Sequence, residues 1–275
     1  MKLSIITVNY NGAEGLQKTL NSVSQQSFTD FELIVIDGGS TDESIEVIKE
    51  YESLFAHRPS PIAYRWVSER DKGIYDGMNK GVKMASGEYV YFLNGGDTFM
   101  SPDSVINMFA VGKTEDILVG RLNYIDGRGR YHESYQKKMP YQSMLGFIRT
   151  GIPHQSAFIK KSLFDKCGLY DLNYKVAADW QFFMRAIGLY GASVAYCDVL
   201  LAHFDNGGLT SKRGDLMAQD INNATWETIP VGMLGDYGWM LQSQWDLDKL
   251  MWIQQHKLAY FLFKALGIIG RKLCK

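Results

Sequence analysis

The chain lacks most of the features that would place it in a specialised class of protein. Its 275 residues include only three cysteines, and no two of them form a CxxC pair, so the sequence indicates neither a disulfide framework nor a zinc ribbon. No run of about 20 apolar residues occurs, and we expect no membrane-spanning helix. The apolar run at the N-terminus turns polar at Asn9 and is too short for a signal peptide. We therefore expect a protein of the reducing cytoplasm.

Charge and phosphate-binding loops are scarce as well. The formal net charge is -1, so no long-range field attracts nucleic acid, and we expect no nucleic-acid partner. The sequence contains neither GxGxxG after a strand nor GxxxxGK[ST], which argues against a dinucleotide-binding loop and against a P-loop. Any bound phosphate would have to be held by a metal ion or by scattered donors.

The first hundred residues alternate between strand and helix patterns. Short β-branched or apolar runs occupy residues 3–8, 31–37, 62–67 and 88–94, and helical spacing occurs between them. This order predicts an α/β protein with a mostly parallel sheet and helices on both of its faces.

The remaining sequence is less regular. Residues 116–126 and 128–135 suggest a hairpin, SAFIKKSLFDKCG a strand that runs into a short helix, and ADWQFFMRAIGLYG a helix followed by a strand. From about residue 211 the pattern is mostly helical. We predict a domain over residues 1–210, with halves at 1–98 and 99–210, and a helical C-terminal extension over 211–275.

Polar residues follow each of the four predicted strands, at 7–11, 37–40, 69–73 and 94–97. Ligands of parallel α/β sheets bind beyond the carboxyl ends of the strands, so these segments predict one ligand site. A single aspartate there is equally typical of a turn. Asp97 is the natural ligand for an oxygen-bound Mg²⁺ or Mn²⁺, and Gly95 and Gly96 would let a phosphate approach the backbone.

Three segments together resemble family-2 glycosyltransferases of the GT-A fold. They are SIITVNYNGAEGLQKTLNSVSQQSFTDFELIVIDGGSTD, ERDKGIYDGMNKGVKMASGEYVYFLNGGD and ADWQFFMR. The resemblance covers roughly residues 1–210 and implies a Rossmann-like central sheet flanked by helices. It also implies an enzyme that moves a sugar, with inversion, from a nucleotide-diphosphate donor to a hydroxyl of a carbohydrate or lipid-linked acceptor. Surface-polysaccharide or lipid-linked oligosaccharide synthesis is the pathway that it suggests.

The resemblance implies contacts to the nucleoside of the donor. Thr7, Val8 and Asn9 match the segment that lies along the nucleobase. Asp37 matches the aspartate that contacts the base or the ribose, and Asp71 is similar to a further nucleotide contact.

Three more positions match the donor side of the family. Lys72 would face phosphate, and Asn79 and Lys80 fall in the helix that lines the donor site. Lys80 is equally typical of a solvated surface lysine.

The resemblance also assigns the metal ligand and the general base. Asp97 matches the metal-binding aspartate, and Asp179 matches the base. The family often has two adjacent carboxylates here, whereas this chain has Gly96 before Asp97. The metal would then take further ligands from diphosphate, water or His203. Taken alone, Asp179 is typical of a helix N-cap, and the other motifs favour the base interpretation.

Three further positions have two interpretations each. His154 and Gln155 would line the acceptor side, although a lone histidine is more often packed in a core. Trp180 would stack on a sugar, or it belongs to the core.

The C-terminal tail has a basic stripe, formed by Lys257, Lys264, Arg271 and Lys275, beside apolar residues. This pattern predicts peripheral contact of residues 257–275 with the inner face of an anionic membrane. A helix packed on its own domain, or a dimer contact, is the alternative, and Gly267 and Gly270 weaken the helix.

Two other functions fit parts of the pattern. A sugar-nucleotidyltransferase would have a Gly-rich, arginine-containing loop after the first strand, but this chain has no basic residue there before Lys18. A catalytically inactive nucleotide-sugar binding protein is favoured only by Gly96, at the position of the second carboxylate.

Overall fold

The computed structural model describes residues 1–58, 62–125, 131–133, 147–148, 151–204, 214–236, 238–239 and 243. The chain forms two units, Met1–Thr228 and Ile229–Lys275. The predicted membrane-contact segment 257–275 lies outside the described residues and stays a prediction. No helix of the described part is both long and apolar enough to cross a membrane.

The first unit contains nine strands and seven α-helices within its described residues. The strands are β1 Leu3–Asn9, β2 Phe31–Asp37, β3 Ala63–Ser68, β4 Tyr89–Phe92, β5 Thr98–Phe99, β6 Ile117–Ile125, β7 Tyr131–Glu133, β8 Ala157–Lys160 and β9 Val194–Phe204. The helices are α1 Ala13–Ser24, α2 Ser44–Ala56, α3 Ile74–Met84, α4 Ser104–Ala110, α5 Lys161–Cys167, α6 Ala178–Met184 and α7 Gly214–Thr228. A 3₁₀ turn spans His154–Ser156, and a π-helical turn, Arg185–Leu189, follows α6.

One mixed sheet runs through the unit in the order β3-β2-β1-β4-β8-β6-β9-β5, and β7 pairs with β6. The first four strands are parallel, as predicted. Beyond β4 the sheet is mixed, because β8 is antiparallel to both β4 and β6, whereas β9 is parallel to β6. The predicted α/β class, the hairpin of β6 and β7 and the strand–helix unit of β8 and α5 are confirmed.

The central strands β1 and β2 are buried along their whole length, as expected of parallel strands covered on both faces. Leu3 and Ile5 of β1 cluster with Leu16 and Leu20 of α1. The alternate side chains face α3 on the opposite side of the sheet. The layers are therefore helix, sheet and helix.

The helical segment that begins near residue 211 belongs in part to the first unit. The prediction that a functional domain ends at residue 210 is not tested by the structure and stays a prediction. The first structural unit continues through α7 to Thr228. Two elements that follow Asp97, β5 and α4, were not predicted, because a two-residue strand and a seven-residue helix leave no readable periodicity.

Helix α3 packs directly on β1 because two of its glycines face the strand. A Cβ atom on Gly77 would lie 2.8 Å from Cγ1 of Val8, and one on Gly81 would collide with Cγ2 of Ile6. The close contact between α3 and β1 fixes the position of α3, which begins at the predicted ligand edge of the sheet.

We expect Gly81→Ala to lower the free energy of unfolding by about 1–3 kcal/mol, because overpacking a rigid core costs that much and outweighs the better helix propensity of alanine. Chemical denaturation measures the change. Gly232→Ala is the control, since a Cβ atom there meets nothing within 4 Å. Equal stability of the two variants would contradict the close packing of α3 on β1.

Candidate active site

A cavity of about 430 Å³ opens at the carboxyl ends of β1 and β4, within the usual size range of small-molecule sites. Its walls come from the end of β1, the start of α3, the loop after β4, the 3₁₀ turn, the loop before α6 and the end of β9. The lining residues are Val8, Asn9, Tyr10, Asp71, Gly73, Ile74, Tyr75, Met78, Asn94, Gly95, Asp97, His154, Gln155, Lys175, Val176 and Phe204.

Asp37 lies behind the cavity wall and organises the loop after β2. Its carboxylate accepts hydrogen bonds from the backbone N–H groups of Gly39 (3.1 Å) and Ser40 (2.9 Å) and from Oγ of Ser68 (2.7 Å). Nδ2 of Asn9 donates to it from β1 at 3.1 Å. Burial alone would raise the pKa of Asp37, but hydrogen bonds from the hydroxyl and the backbone N–H of Ser40, from Ser68 and from Asn9 outweigh it and hold the pKa below its ordinary value.

Of the nucleobase segment, Val8 and Asn9 line the cavity, and Thr7 does not. Thr7 is fully buried, and its Oγ1 has no hydrogen-bond partner among the described residues. Tyr10, which the sequence analysis did not single out, is 67% exposed at the cavity mouth.

Asp71 lines the cavity beside two glycines. A Cβ atom on Gly38 would lie 3.0 Å from its Oδ2, and one on Gly77 would lie 3.1 Å from it. The absence of side chains at these two glycines therefore leaves room for the carboxylate. Burial raises the pKa of Asp71, the charges of Asp76 and Asp37 raise it further, and the N–H of Gly73 and the charge of Lys80 only partly offset this. A carboxylate of raised pKa in a cavity is typical of a binding site.

Lys72 and the two predicted residues of the donor helix, Asn79 and Lys80, have partners within the protein. Lys72 is exposed, and its N–H donates to Oδ2 of Asp76 at 3.0 Å. Nδ2 of Asn79 donates to the carbonyl oxygen of Tyr170 at 2.9 Å, and its Oδ1 accepts the N–H of Tyr170 at 3.0 Å. Nζ of Lys80 pairs with Glu69 at 2.9 Å. None of these three lines the 430 Å³ cavity.

The turn that carries Asp97 is held by Thr19 of α1. Oγ1 of Thr19 accepts the N–H of Gly96 at 3.0 Å and lies within hydrogen-bond distance of the carbonyl oxygens of Asn94 (3.1 Å) and Asp97 (2.7 Å). Gly96 has a φ of 106°, which favours glycine, so a second carboxylate at this position would be strained. The turn thus presents Asp97, 4% exposed, at the cavity wall.

The residues present fit a hard divalent ion that is held jointly with a substrate. No group of three or more His, Cys, Asp or Glu side chains within the described residues could hold a metal ion. Mg²⁺-type ions do not need one, because they usually bind one or two carboxylates together with substrate phosphates and water. His203 pairs with Thr98 in the ladder of β9 and β5, and its neighbour Phe204, not His203, lines the cavity.

Asp179 lies in the first turn of α6, whose N-cap is Ala177, and no side chain caps this helix. Its Oδ1 accepts the phenolic O–H of Tyr75 at 2.8 Å, and its Oδ2 lies 2.8 Å from Nδ1 of His154. Burial would raise the pKa of Asp179, but the hydrogen bond and charge of His154 and the bond from Tyr75 outweigh it and lower the pKa. The capping interpretation therefore has no support, and the carboxylate belongs to a hydrogen-bonded pair.

His154 connects this carboxylate to the cavity. Its side chain is 11% exposed, and Nε2 lies 3.4 Å from Nδ2 of Asn94 across the wall. Oδ1 of Asn94 is buried and has no partner within the described part of the chain. Trp180, by contrast, packs against Phe147 at a centroid distance of 5.2 Å and belongs to the core.

The sequence analysis did not identify Asp220, which holds part of the cavity wall in place. Oδ2 of Asp220, on α7, accepts the backbone N–H groups of Lys175 (2.7 Å) and Val176 (2.9 Å), which precede α6 and line the cavity. An aspartate in the middle of a helical pattern gives no signal of a distant backbone partner.

The sequence of the chain matches the profile described as Glycosyl transferase family 2 over residues 4–168. The chain belongs to this family. It is a glycosyltransferase, as predicted, and the family match favours sugar transfer over the two alternative functions.

Curated relatives agree with this assignment. An uncharacterized glycosyltransferase of Mycobacterium tuberculosis is 34% identical over 218 residues, which cover 77% of this chain and 78% of the relative. A PGL/p-HBAD biosynthesis glycosyltransferase of Mycobacterium bovis is 32% identical over 217 residues, which cover 76% and 78%.

Solved structures share the fold. The S. aureus TarS 1-349 complex with UDP superposes with a TM-score of 0.62 at 22% identity, over 82% of this chain and 65% of that one. Mannosyltransferase PcManGT from Pyrobaculum calidifontis, in complex with GDP-Man and Mn²⁺, superposes with a TM-score of 0.60 at 17% identity. The match covers 80% of this chain and 61% of that one. This chain thus spans slightly less than two thirds of each, and the GT-A fold is confirmed.

We expect Asp37→Asn to lower the free energy of unfolding by about 1.5–3 kcal/mol at neutral pH, because an amide cannot accept all the donors that surround the carboxylate. The folded pKa of Asp37 lies below its ordinary value. Its contribution is therefore present above the unfolded pKa of about 3.9 and is lost as the pH falls through the folded pKa. Urea unfolding from pH 7 down to pH 2 measures this. If the wild type and the variant lost stability in parallel on acidification, the assignment would fail.

We expect Asp220→Ala to cost about 1–3 kcal/mol of stability and to expose the loop before α6 to proteases, because two backbone donors lose their acceptor. Asp215→Ala is the matched control, an exposed aspartate on the same helix. Denaturation and limited proteolysis measure the two effects. Identical cleavage patterns for both variants would contradict the role of Asp220.

Proposed function

We propose that this chain transfers a sugar, with inversion at the anomeric carbon, from a nucleotide-diphosphate donor to a hydroxyl acceptor. The observation that supports this most is the composition of one cavity. Its wall contains a buried carboxylate, Asp97, on a glycine turn, and also His154 and Tyr75, which both hydrogen-bond the carboxylate of Asp179. A site for a phosphate-bound cation and a site for proton removal thus share one space.

The donor nucleoside lies along the end of β1 in this proposal. Val8 and Asn9 form the floor there, Tyr10 offers an exposed ring, and Asp71 offers a carboxylate for hydroxyl or base donors. Asp37 contributes by fixing the position of Asn9. TarS is solved with UDP and PcManGT with GDP-Man, so UDP-sugars and GDP-sugars are the first donors to test.

The diphosphate lies over the turn of Gly95 and Gly96. Asp97 would hold a Mn²⁺ or Mg²⁺ ion together with the phosphates, and a bound ion of this kind neutralises negative charge on a departing diphosphate. His203 does not line the cavity, so Asp97 is the protein ligand that we propose. A single protein carboxylate predicts that metal and donor bind together.

Inverting transfer is a single displacement at the anomeric carbon. The acceptor oxygen forms a bond to the anomeric carbon while the bond between that carbon and the diphosphate oxygen breaks. The nucleoside diphosphate leaves with the electron pair of the broken bond. A base must take the acceptor proton. Asp179, with its partner His154, supplies that function in the proposal.

The acceptor is a carbohydrate or a lipid-linked glycan, and synthesis of a surface polysaccharide or lipid-linked oligosaccharide is the pathway that we propose. A Mycobacterium bovis relative named for PGL/p-HBAD biosynthesis supports a lipid-linked or glycolipid acceptor. Membrane contact through residues 257–275 at the cytoplasmic face would bring the enzyme to such acceptors.

A thermal-shift screen of UDP- and GDP-sugars, with and without Mn²⁺, tests the donor side, because a ligand that binds only the folded state raises the melting temperature. Release of UDP or GDP with a panel of alkyl glycosides as acceptors tests transfer. A chain that binds none of these donors with metal would refute the proposal.

We expect Asp97→Asn to abolish the metal-dependent part of the thermal shift and to reduce transfer at least ~10²-fold, because the metal loses its charged protein ligand. Asp165→Asn, an exposed aspartate on α5, is the control and should behave as wild type. Wild-type turnover of Asp97→Asn with Mn²⁺ would show that the metal assignment is wrong.

A further inference from the structure

We propose that Asp71 selects guanine as the base of the donor, so that GDP-sugars are the donor class of this chain. The inference rests on the proposed function and deepens it, because that function leaves the base open. It depends on one carboxylate oxygen in the cavity wall, Oδ2 of Asp71, for which the described residues supply no hydrogen-bond donor.

Asp37, the other carboxylate of the predicted nucleoside side, is already occupied by the protein. It is fully buried and does not line the cavity. Its oxygens accept five donors, namely the N–H groups of Gly39 and Ser40, the hydroxyls of Ser40 and Ser68, and Nδ2 of Asn9. A carboxylate offers about four lone-pair sites, so Asp37 has none left for a ligand. Recognition of a base by a carboxylate therefore falls to Asp71.

Asp71 has one oxygen held by the backbone and one that faces a gap in the protein. Its Oδ1 accepts the N–H of Gly73 at 3.1 Å, which fixes how the carboxylate is turned. Its Oδ2 has no donor in the described part of the chain, although burial raises the pKa of this carboxyl and so disfavours its charge. An ionised carboxylate only accepts hydrogen bonds. A ligand that brings N–H groups would supply what the protein does not.

An aromatic ring lies beside this oxygen. A Cβ atom on Gly38 would lie 3.0 Å from Oδ2 of Asp71 and 3.3 Å from Cδ2 of Tyr10, so the carboxylate and the edge of the ring are neighbours across Gly38. A base that stacks on Tyr10 can present an edge to Asp71. Stacking itself does not choose between bases, because every base has a π-face. The choice then belongs to the carboxylate.

The bases differ in the donors that they present to a carboxylate. Guanine has its N1–H and its N2 amino group side by side, so that one carboxylate accepts both in a bidentate pair. Uracil has a single N3–H between two carbonyl oxygens, and either carbonyl repels the second carboxylate oxygen. Adenine and cytosine have an amino group beside an unprotonated ring nitrogen, which repels that oxygen too. Guanine is therefore the base that satisfies both oxygens of Asp71.

Binding of nucleoside diphosphates to the full chain with Mn²⁺, measured by isothermal titration calorimetry, tests the base directly. We expect GDP to bind ~10- to 10²-fold more tightly than UDP, CDP or ADP, the factor that corresponds to a hydrogen bond to a charged group. Inosine diphosphate keeps the N1–H but lacks the amino group, and we expect it to bind ~10-fold or more weakly than GDP. These comparisons need no variant.

Asp71→Asn exchanges one acceptor for a donor. The amide can keep its Oδ1 on the N–H of Gly73, and its Nδ2 then takes the place of the carboxylate Oδ2. Xanthine has a carbonyl where guanine has its amino group, and it matches this arrangement. We expect Asp71→Asn to bind GDP ~10- to 10²-fold more weakly than the wild type and to bind xanthosine diphosphate more tightly than the wild type does.

The matched control is Glu69→Gln, because it removes one negative charge from an exposed residue of the same loop outside the cavity. We expect its ratio of GDP to UDP affinity to equal that of the wild type. If Asp71→Asn does not fold, the comparison of GDP with inosine diphosphate on the wild type decides the proposal.

Other results would overturn the proposal. They are equal or tighter binding of UDP by the wild type, equal binding of GDP and inosine diphosphate, or a ratio of GDP to UDP affinity that Asp71→Asn leaves unchanged. A loss of affinity for 2′-deoxy- or 3′-deoxy-GDP that disappears in Asp71→Asn would assign the carboxylate to the ribose instead. If the wild type bound no nucleoside diphosphate with Mn²⁺, the proposed function would fail, and the two failures are thus distinguishable.

Discussion

The in-register parallel pairing of β1 with its two neighbours is the constraint on which the site depends. Asn9 stands opposite Asp37 in this register, and β4 runs alongside β1 on the other side. Polar residues that are far apart in the sequence therefore reach one edge of the sheet together. The buried hydrogen bond from Asn9 to Asp37 joins two strand ends and fixes the loop between β2 and α2. A one-residue slip would turn these side chains to the opposite face of the sheet.

The rest of the site is assembled around this edge by contacts that bridge the two halves of the sheet. Tyr75 of α3, from the parallel half, donates to Asp179 of α6, which lies between β8 and β9 of the mixed half in the sequence. Asn79 of the same helix binds the backbone of Tyr170. These bonds tie the donor side to the proposed proton-transfer side. The close approach of α3 to β1, which Gly77 and Gly81 allow, thus also sets where the carboxylate of Asp179 lies.

The sequence was sufficient for the elements whose pattern is local and long. The alternation through β4, the strand-end segments and the family were all predictable, because buried parallel strands leave nearly continuous apolar runs and their ends leave polar ones. The prediction did not place Asp37 and Asn79 as residues that hold backbone, because a carboxylate or amide at a strand end or on a helix reads the same whether it faces a ligand or the chain. His154 was recognised only as an alternative, since its partner lies 25 positions away.

The profile that identifies the family ends at residue 168, before the helix that bears Asp179 and before Asp220, which holds the loop ahead of that helix. The matched stretch therefore includes Tyr75 and His154 but not Asp179, to which both hydrogen-bond. The first unit also defines the shortest useful clone: a fragment cut at residue 210 would retain every motif that carries the family resemblance and still lose Asp220, which holds the backbone of Lys175 and Val176 at the cavity wall.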